Sequence, residues 1–139
     1  MREILFRGKY SKKSPDWIEG SFHRDEDTNI CEIAYRYYKK ENETKAGIWV
    51  YGVVDPETVG QYTGLKDKNG KKIFEGDIVC HDFGEKQIGK QYAIVKWSEK
   101  YASFQLNPID DWMFCNLSDV KVVGNIYDNP ELMEGADNA

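Results

Sequence analysis

Residues 55–79, DPETVGQYTGLKDKNGKKIFEGDIV, carry the densest turn signals in the chain and therefore limit its possible folds. The opening Asp-Pro pair predicts a turn, because the proline ring fixes φ and pushes the preceding residue towards extended geometry. The Asn69-Gly70 pair tolerates positive φ at both central positions, which a type I′ hairpin turn requires. Gly76 predicts another turn before a β-branched run. Turns at this spacing favour short strands.

Alternating apolar and polar residues, or β-branched runs, predict further strands on both sides of this stretch. Together the predicted strands cover residues 3–7, 17–22, 30–38, 48–54, 58–62, 78–80, 91–97, 103–106 and 120–127. Asn129 as N-cap and Pro130 at the first helical position predict one short helix near the C-terminus. Many short strands separated by turn signals favour an all-β barrel.

Composition bounds the size of the core and the cellular compartment. The 139 residues are 40% hydrophobic and 14% aromatic, which suits one domain, or a small barrel with an N-terminal extension. No apolar run approaches the ~18 residues of a membrane span, and the N-terminus lacks a signal-peptide core, so we expect a soluble, cytoplasmic protein. Cys31, Cys80 and Cys115 form no CxxC pair. They are expected to be free thiols, mostly buried, in a reducing compartment.

The segment from Tyr35 to Lys40, YRYYKK, is the best candidate for a nucleic-acid contact. Aromatic rings can stack on bases while Arg and Lys follow the phosphates of a single strand. The candidate contacts are Tyr35, Arg36, Tyr38, Lys39 and Lys40. The alternative is a plain strand in which Tyr35 and Tyr37 pack inward while Arg36 and Tyr38 face water. Lysines 66, 68, 71 and 72 around the central hairpin form a second basic cluster, although such lysines usually serve solubility and edge protection.

Charge and residue spacing argue against broad phosphate binding, catalysis and metal binding. The net charge is −5, with an acidic C-terminal half, whereas phosphate binding requires cations. In the sequence Cys80-His81-Asp82, extended geometry points neighbouring side chains to opposite faces, so a nucleophile and its base would be out of reach. We expect Cys80 in the core and His81 on the surface. We expect no catalytic residue, metal or cofactor, since with two histidines the nitrogen ligands are sparse.

Aromatic content predicts association. Four Trp, nine Tyr and six Phe exceed what one small barrel is expected to bury, and leftover aromatic surface is typical of the core of an interface. Symmetric homo-oligomers are the common outcome. The N-terminal strands and the segment at residues 23–47 are the expected contributors.

Three separate blocks resemble the YopX family of phage and prophage proteins. They are REILFRGK at residues 2–9, VGQYTGLKDKNGKKIFEGDIV at residues 59–79 and VVGNIYDNPEL at residues 122–132. The resemblance implies a phage-encoded intracellular protein whose C-terminal half folds as an SH3-like β-barrel, and it supplies no established activity or catalytic residues.

The sequence and the resemblance together predict a mainly β protein. We expect an N-terminal β-rich region at residues 1–54, an SH3-like β-barrel at residues 55–134, and a frayed tail at residues 135–139. The predicted function is that of a phage accessory protein, not an enzyme, acting by protein–protein interaction and self-association with a host or phage protein as the further partner. The alternative is a nucleic-acid-binding module that uses the segment from Tyr35 to Lys40.

Overall fold

The structure, a computed structural model, describes residues 1–37, 47–84, 89–107 and 119–137. The chain divides into two compact units, Met1–Gln61 and Tyr62–Ala139. The described residues are mainly β-strand, paired into antiparallel sheets, with a single short α-helix. The mainly β prediction is confirmed. Within these residues, no helix combines the length and the apolar character that crossing a membrane requires.

The first unit is an antiparallel sheet built by consecutive strands. The strands are β1 (Phe6–Lys9), β2 (Trp17–Arg24), β3 (Cys31–Tyr37) and β4 (Ile48–Val54), followed by a 3-10 helix (Pro56–Thr58) and the start of β5 (Gly60–Lys66). Their order across the sheet is β4-β3-β2-β1-β5. The predicted strand at residues 58–62 is therefore wrong at its start, because Thr58 belongs to the 3-10 helix.

The second unit contains a strand pair and a four-stranded sheet. The rest of β5 pairs with β6 (Lys72–Phe74). The sheet has the order β10-β7-β8-β9 and consists of β7 (Asp77–Asp82), β8 (Lys90–Ser98), β9 (Ser103–Asn107) and β10 (Lys121–Asn125). The helix α1 (Glu131–Asp137) follows, close to the predicted helix start. The described strands do not close into a barrel.

Each unit has its own apolar core. In the first, alternation along β3 places Cys31 and Ile33 on one face, and pairing with β4 brings Val54 opposite Cys31. Phe6, Ile18, Phe22 and Val59 pack against these three residues. The second core contains Ile73, Val79, Ala93, Val95, Val120 and Val122, with Phe83, Phe104 and Leu106 packed against it.

The central hairpin differs from its predicted geometry. Gly70 has a φ of +81°, whereas Asn69 is not among the residues with positive φ, so the type I′ prediction is wrong. The loop spans five residues between strands β5 and β6, and it is closed by hydrogen bonds from the Asp67 N–H to the Lys71 carbonyl and from the Gly70 N–H to the Asp67 carbonyl. Asn-Gly therefore marks the turn correctly, but only its glycine adopts the left-handed conformation. The turn predicted at Gly76 is confirmed by its φ of +90°.

Candidate interaction surface

Strand β4 is the terminal strand of the sheet in the first unit. It pairs with β3 along its whole length, from Tyr37 opposite Ile48 to Cys31 opposite Val54. Among the described residues, no strand pairs with the other side of β4. Its second row of backbone N–H and C=O groups therefore has no strand partner within the described part of the chain, which is the situation that allows an edge strand to pair with another chain.

The residues of β4 that point away from the core form an exposed apolar surface. Because side chains alternate along a strand, Gly52 and Val54 face the core, while Trp49, Tyr51 and Val53 face outward. Their exposed fractions are 53%, 65% and 56%. We call these three residues the β4 outer face. An exposed apolar group of this kind is typical of an interaction site.

Packing on the opposite side fixes which residues of β4 point outward. A Cβ atom at Gly52 would lie 2.5 Å from Cδ1 of Ile18 and 3.2 Å from the ring of Tyr10. These two side chains therefore occupy the space that a residue with a side chain would need at position 52. The strand cannot turn its outward residues into the core, because Ile18 and Tyr10 leave no room for their side chains on that face.

Charges border the β4 outer face at its two ends, while β4 itself has none. On the neighbouring strand β3, Arg36 lies opposite Trp49, with the guanidinium carbon 5.2 Å from the centre of the indole ring. Glu32 lies opposite Val53. The surface thus has a cationic end, where Arg36 contacts an aromatic ring, and an anionic end.

The segment predicted to contact nucleic acid is divided between two faces of β3. Tyr35 is half-buried on the core face. The pKa of Tyr10 is raised, first by the burial of Tyr10 and then by its interaction with Tyr35. Arg36 lies on the outer face over Trp49. Tyr38, Lys39 and Lys40 lie outside the described residues. The structure therefore brings Arg36 to the aromatic surface of β4 and separates it from Tyr35.

The alternative interpretation of that segment is correct in part. Tyr35 does lie on the core face, as the strand pattern predicts. Tyr37 does not pack inward: it is 49% exposed at the end of β3, and Ile48 opposite it is 60% exposed. The end of the β3–β4 pair therefore exposes apolar area on the face opposite to that of Trp49.

Cys80, His81 and Asp82 follow one another on strand β7, and their side chains do not share a hydrogen-bond partner among the described residues. Burial raises the pKa of the Cys80 thiol, so the thiol keeps its proton at neutral pH. Nδ1 of His81 lies 3.2 Å from the Asp119 carbonyl oxygen, and Asp82 accepts a hydrogen bond from the Gly84 N–H. Cys80 is half-buried, so its predicted place in the core is only partly correct.

Asp67 is a buried carboxylate that residue patterns did not single out. Its Oδ1 accepts hydrogen bonds from the backbone N–H groups of Asn69 and Lys71, at 2.9 and 2.8 Å, and its Oδ2 accepts one from Val122 at 3.0 Å. Burial opposes ionisation, but the three backbone donors outweigh it and lower the pKa of Asp67. The sequence pattern that indicates this role is an aspartate two residues before an Asn-Gly pair, because an Asp side chain commonly accepts hydrogen bonds from the backbone of a turn.

Other polar residues in the same sequence blocks also bind backbone groups. Oδ2 of Asp77, which is 1% exposed, accepts a hydrogen bond from the Phe74 N–H at 2.7 Å. Oδ1 of Asn125 accepts from the N–H groups of Tyr127 and Asp128. These blocks therefore hold turns in place. Across the described ranges, no three His, Cys, Asp or Glu side chains are grouped as a metal site would need.

A family model described as YopX protein matches residues 5–134. The chain belongs to the YopX family. The crystal structure of protein EF1440 from Enterococcus faecalis is similar to this YopX-family chain, covering 96% of it and 99% of that chain with a TM-score of 0.54. The two sequences are 22% identical, so the likeness concerns the fold alone. None of the curated proteins compared with the chain matches it.

Proposed function

We propose that this YopX-family protein is a non-catalytic phage accessory protein that acts by binding other proteins and by self-association. The observation that carries the proposal is the β4 outer face, in which Trp49, Tyr51 and Val53 are all more than half exposed on one terminal strand. Interface cores are enriched in aromatic residues and depleted of charge, as this surface is.

Burial of this surface would contribute favourable free energy to association. Burying the exposed part of an aromatic side chain such as Trp49 or Tyr51 contributes roughly 3 kcal/mol before the costs of association. Two rings and a valine on a rigid, paired strand also have less conformational freedom to lose than a loop would. The paired strand therefore presents its apolar groups in a fixed arrangement that suits a protein partner.

The cellular setting and the finer fold of the second unit belong to the same proposal. A YopX-family chain of this kind is proposed to act inside the infected host cell, with its second unit folded as an SH3-like barrel. The turns at Gly70 and Gly76, on either side of the short strand β6, support that assignment. Fold likeness does not identify a ligand, so the binding surface is assigned from β4 alone.

Light scattering over a range of protein and salt concentrations tests self-association. We expect a mass well above the 16.1 kDa of one chain, and we expect it to persist at high salt because the surface is apolar. A mass of one chain at every concentration would contradict self-association. Retention of partner proteins by the wild type but not by a Trp49→Ala, Tyr51→Ala double variant would then test the remaining part of the proposal.

A second candidate function is binding of single-stranded nucleic acid at the Arg36 end of β3. The observation that favours it is the guanidinium of Arg36 over the Trp49 ring. Replacing Arg36, Lys39 and Lys40 together by alanine should weaken binding to single-stranded DNA and flatten its salt dependence. Unchanged retention of the triple variant on single-stranded DNA would exclude this segment as the site.

A further inference from the structure

We infer that two copies of this chain pair their β4 strands edge to edge and antiparallel, with Tyr51 of each copy on a two-fold axis. The inference rests on the proposed self-association and specifies how it occurs. The two four-stranded arrays β1–β4 then become one continuous sheet across the dimer. A two-fold axis makes the contact closed, so association stops at two copies on this edge.

The backbone of β4 is suited to pairing on its outer side. Residues Ile48–Val54, IWVYGVV, contain no proline and no charged residue, which are the usual means of blocking an edge. Aromatic and β-branched residues favour extended pairing. The strand is also held extended by seven paired positions with β3, so little order has to be gained when a second copy binds.

Length and side-chain chemistry select the register. In an antiparallel pair of identical seven-residue strands, centring on residue 51 pairs all seven positions, and any shift leaves residues of both strands unpaired. In this register Trp49 lies opposite the partner's Val53, and Tyr51 lies opposite the partner's Tyr51. Aromatic residues paired with β-branched or aromatic ones are favourable cross-strand neighbours.

Charges on the adjacent strands agree with the same arrangement. Because Arg36 lies beside Trp49 and Glu32 beside Val53, the antiparallel pairing places the cationic end of each copy across from the anionic end of the other. Each row of facing residues that runs across the strands of the dimer then contains Arg36 of one copy and Glu32 of its partner. A parallel pairing would instead place the two cationic ends together and the two anionic ends together.

A pair of lysine variants separates edge pairing from face-to-face stacking of the same surface. Tyr51 and Ser21 lie in one transverse row on the outer face, since Ala34 pairs with both, but Ser21 is two strands from the edge. We expect Tyr51→Lys to raise the dissociation constant of the dimer about tenfold or more. We expect Ser21→Lys to leave it unchanged, whereas stacking would make both variants dissociate. Hydrogen exchange of β1–β4 checks that each variant is folded.

Disulfide trapping tests the register. Full-length Trp49→Cys and Val53→Cys chains are mixed, oxidised and analysed by peptide mapping. Facing residues of an antiparallel pair have Cα atoms about 4.5–5.5 Å apart, within reach of a disulfide. Two copies of position 49 lie about 13 Å apart along the strand in this register, which is out of reach. Each variant oxidised alone, together with the wild type, controls for the native cysteines.

The outcomes separate this inference from the proposed function. A mixed 49–53 disulfide, with neither variant linking to itself at these positions, supports the inferred pairing. A dimer that yields no 49–53 disulfide, or that dissociates equally with Ser21→Lys, overturns the pairing while self-association stands. A chain that is monomeric at all concentrations overturns both.

Discussion

The β4 edge of the first unit and the turns around β6 in the second unit use their unusual residues in opposite ways. The first unit places large apolar side chains on its outside, at Trp49, Tyr51 and Val53, where they contribute nothing to its core. The second unit places carboxylates on its inside, at Asp67 and Asp77, where each one accepts hydrogen bonds from backbone groups. An exposed apolar residue that does not stabilise the fold points to binding, and a buried acid with a full set of donors points to structure.

The largest expected effects come from truncating one isoleucine in each core. Ile33 in the first unit and Ile73 in the second are both 0% exposed. Replacing either by alanine should lower the free energy of unfolding by about 2–5 kcal/mol, because apolar contacts are lost and a cavity forms. Hydrogen exchange read by mass spectrometry should show the loss of protection in β2–β4 for Ile33→Ala and in β6–β8 for Ile73→Ala. An effect below about 1 kcal/mol at either site would contradict its assignment to a core.

Gly20→Ala should have the next largest effect and should be confined to the first unit. A Cβ at Gly20 would lie 2.0 Å from the Ala34 carbonyl oxygen, which belongs to the paired backbone of β3 and cannot move aside. We expect a loss of about 3 kcal/mol in chemical denaturation. The comparison is Gly124→Ala in the second unit, where the obstacle is the side chain of Asn129, 2.5 Å away. Rotation of Asn129 would relieve the contact with its amide but not the one with its Cβ at 2.9 Å, so we expect a smaller but measurable loss at Gly124. A larger loss at Gly124 than at Gly20 would contradict this account.

Asp67→Asn should destabilise the second unit by about 2 kcal/mol at neutral pH, because its amide would place a donor against a backbone N–H. The folded pKa of Asp67 is lowered, so its contribution is present above the unfolded pKa of about 4 and is lost as the pH falls through the folded pKa. Denaturant titrations at several pH values should therefore show that the free energy of unfolding of the variant depends less on pH in the acid range. The exposed turn residue Asp27, replaced by Asn, is the matched control, and an equal loss of pH dependence there would count against a special role for Asp67.

The smallest expected effect on folding is at the β4 outer face. Trp49→Ala and Val53→Thr should change the free energy of unfolding of the isolated chain by no more than about 0.5 kcal/mol, because both side chains are mostly exposed. Denaturation at a protein concentration too low for association measures this directly. A loss comparable with that of Ile33→Ala would show that these residues belong to a core, and the contrast between the two units would disappear.

Sequence patterns predicted the strands better than the contacts between them. The strand at residues 48–54 was predicted with its observed bounds, because a β-branched and aromatic run lies between Gly47 and an Asp-Pro pair. The turn type at Asn69-Gly70 was missed, because the Asp67 side chain supplies acceptors that a dipeptide signal does not include. Local pattern determines extended geometry, whereas turn geometry here depends on a donor at Val122, 55 positions away in the sequence.

The candidate surface could be predicted only in its general location. An excess of aromatic residues indicated an interface in the N-terminal strands, and the sequence YRYYKK drew attention to β3. Strand alternation then separates Tyr35 from Arg36, and the ring that Arg36 contacts belongs to Trp49 on the next strand. The residue pattern within one strand does not show which residues it will contact on a neighbouring strand. The contact between Arg36 and Trp49 therefore follows only from the pairing of β3 with β4.

Because side chains alternate along β4, one short segment contributes residues both to the core and to the exposed surface. Gly52 and Val54 are held by the packing of the core, whereas the mostly exposed positions 49, 51 and 53 are expected to be exchangeable with little cost to folding. A chain built in this way can acquire a new partner by three substitutions while its scaffold is kept. Such a separation would allow the surface to diversify faster than the fold.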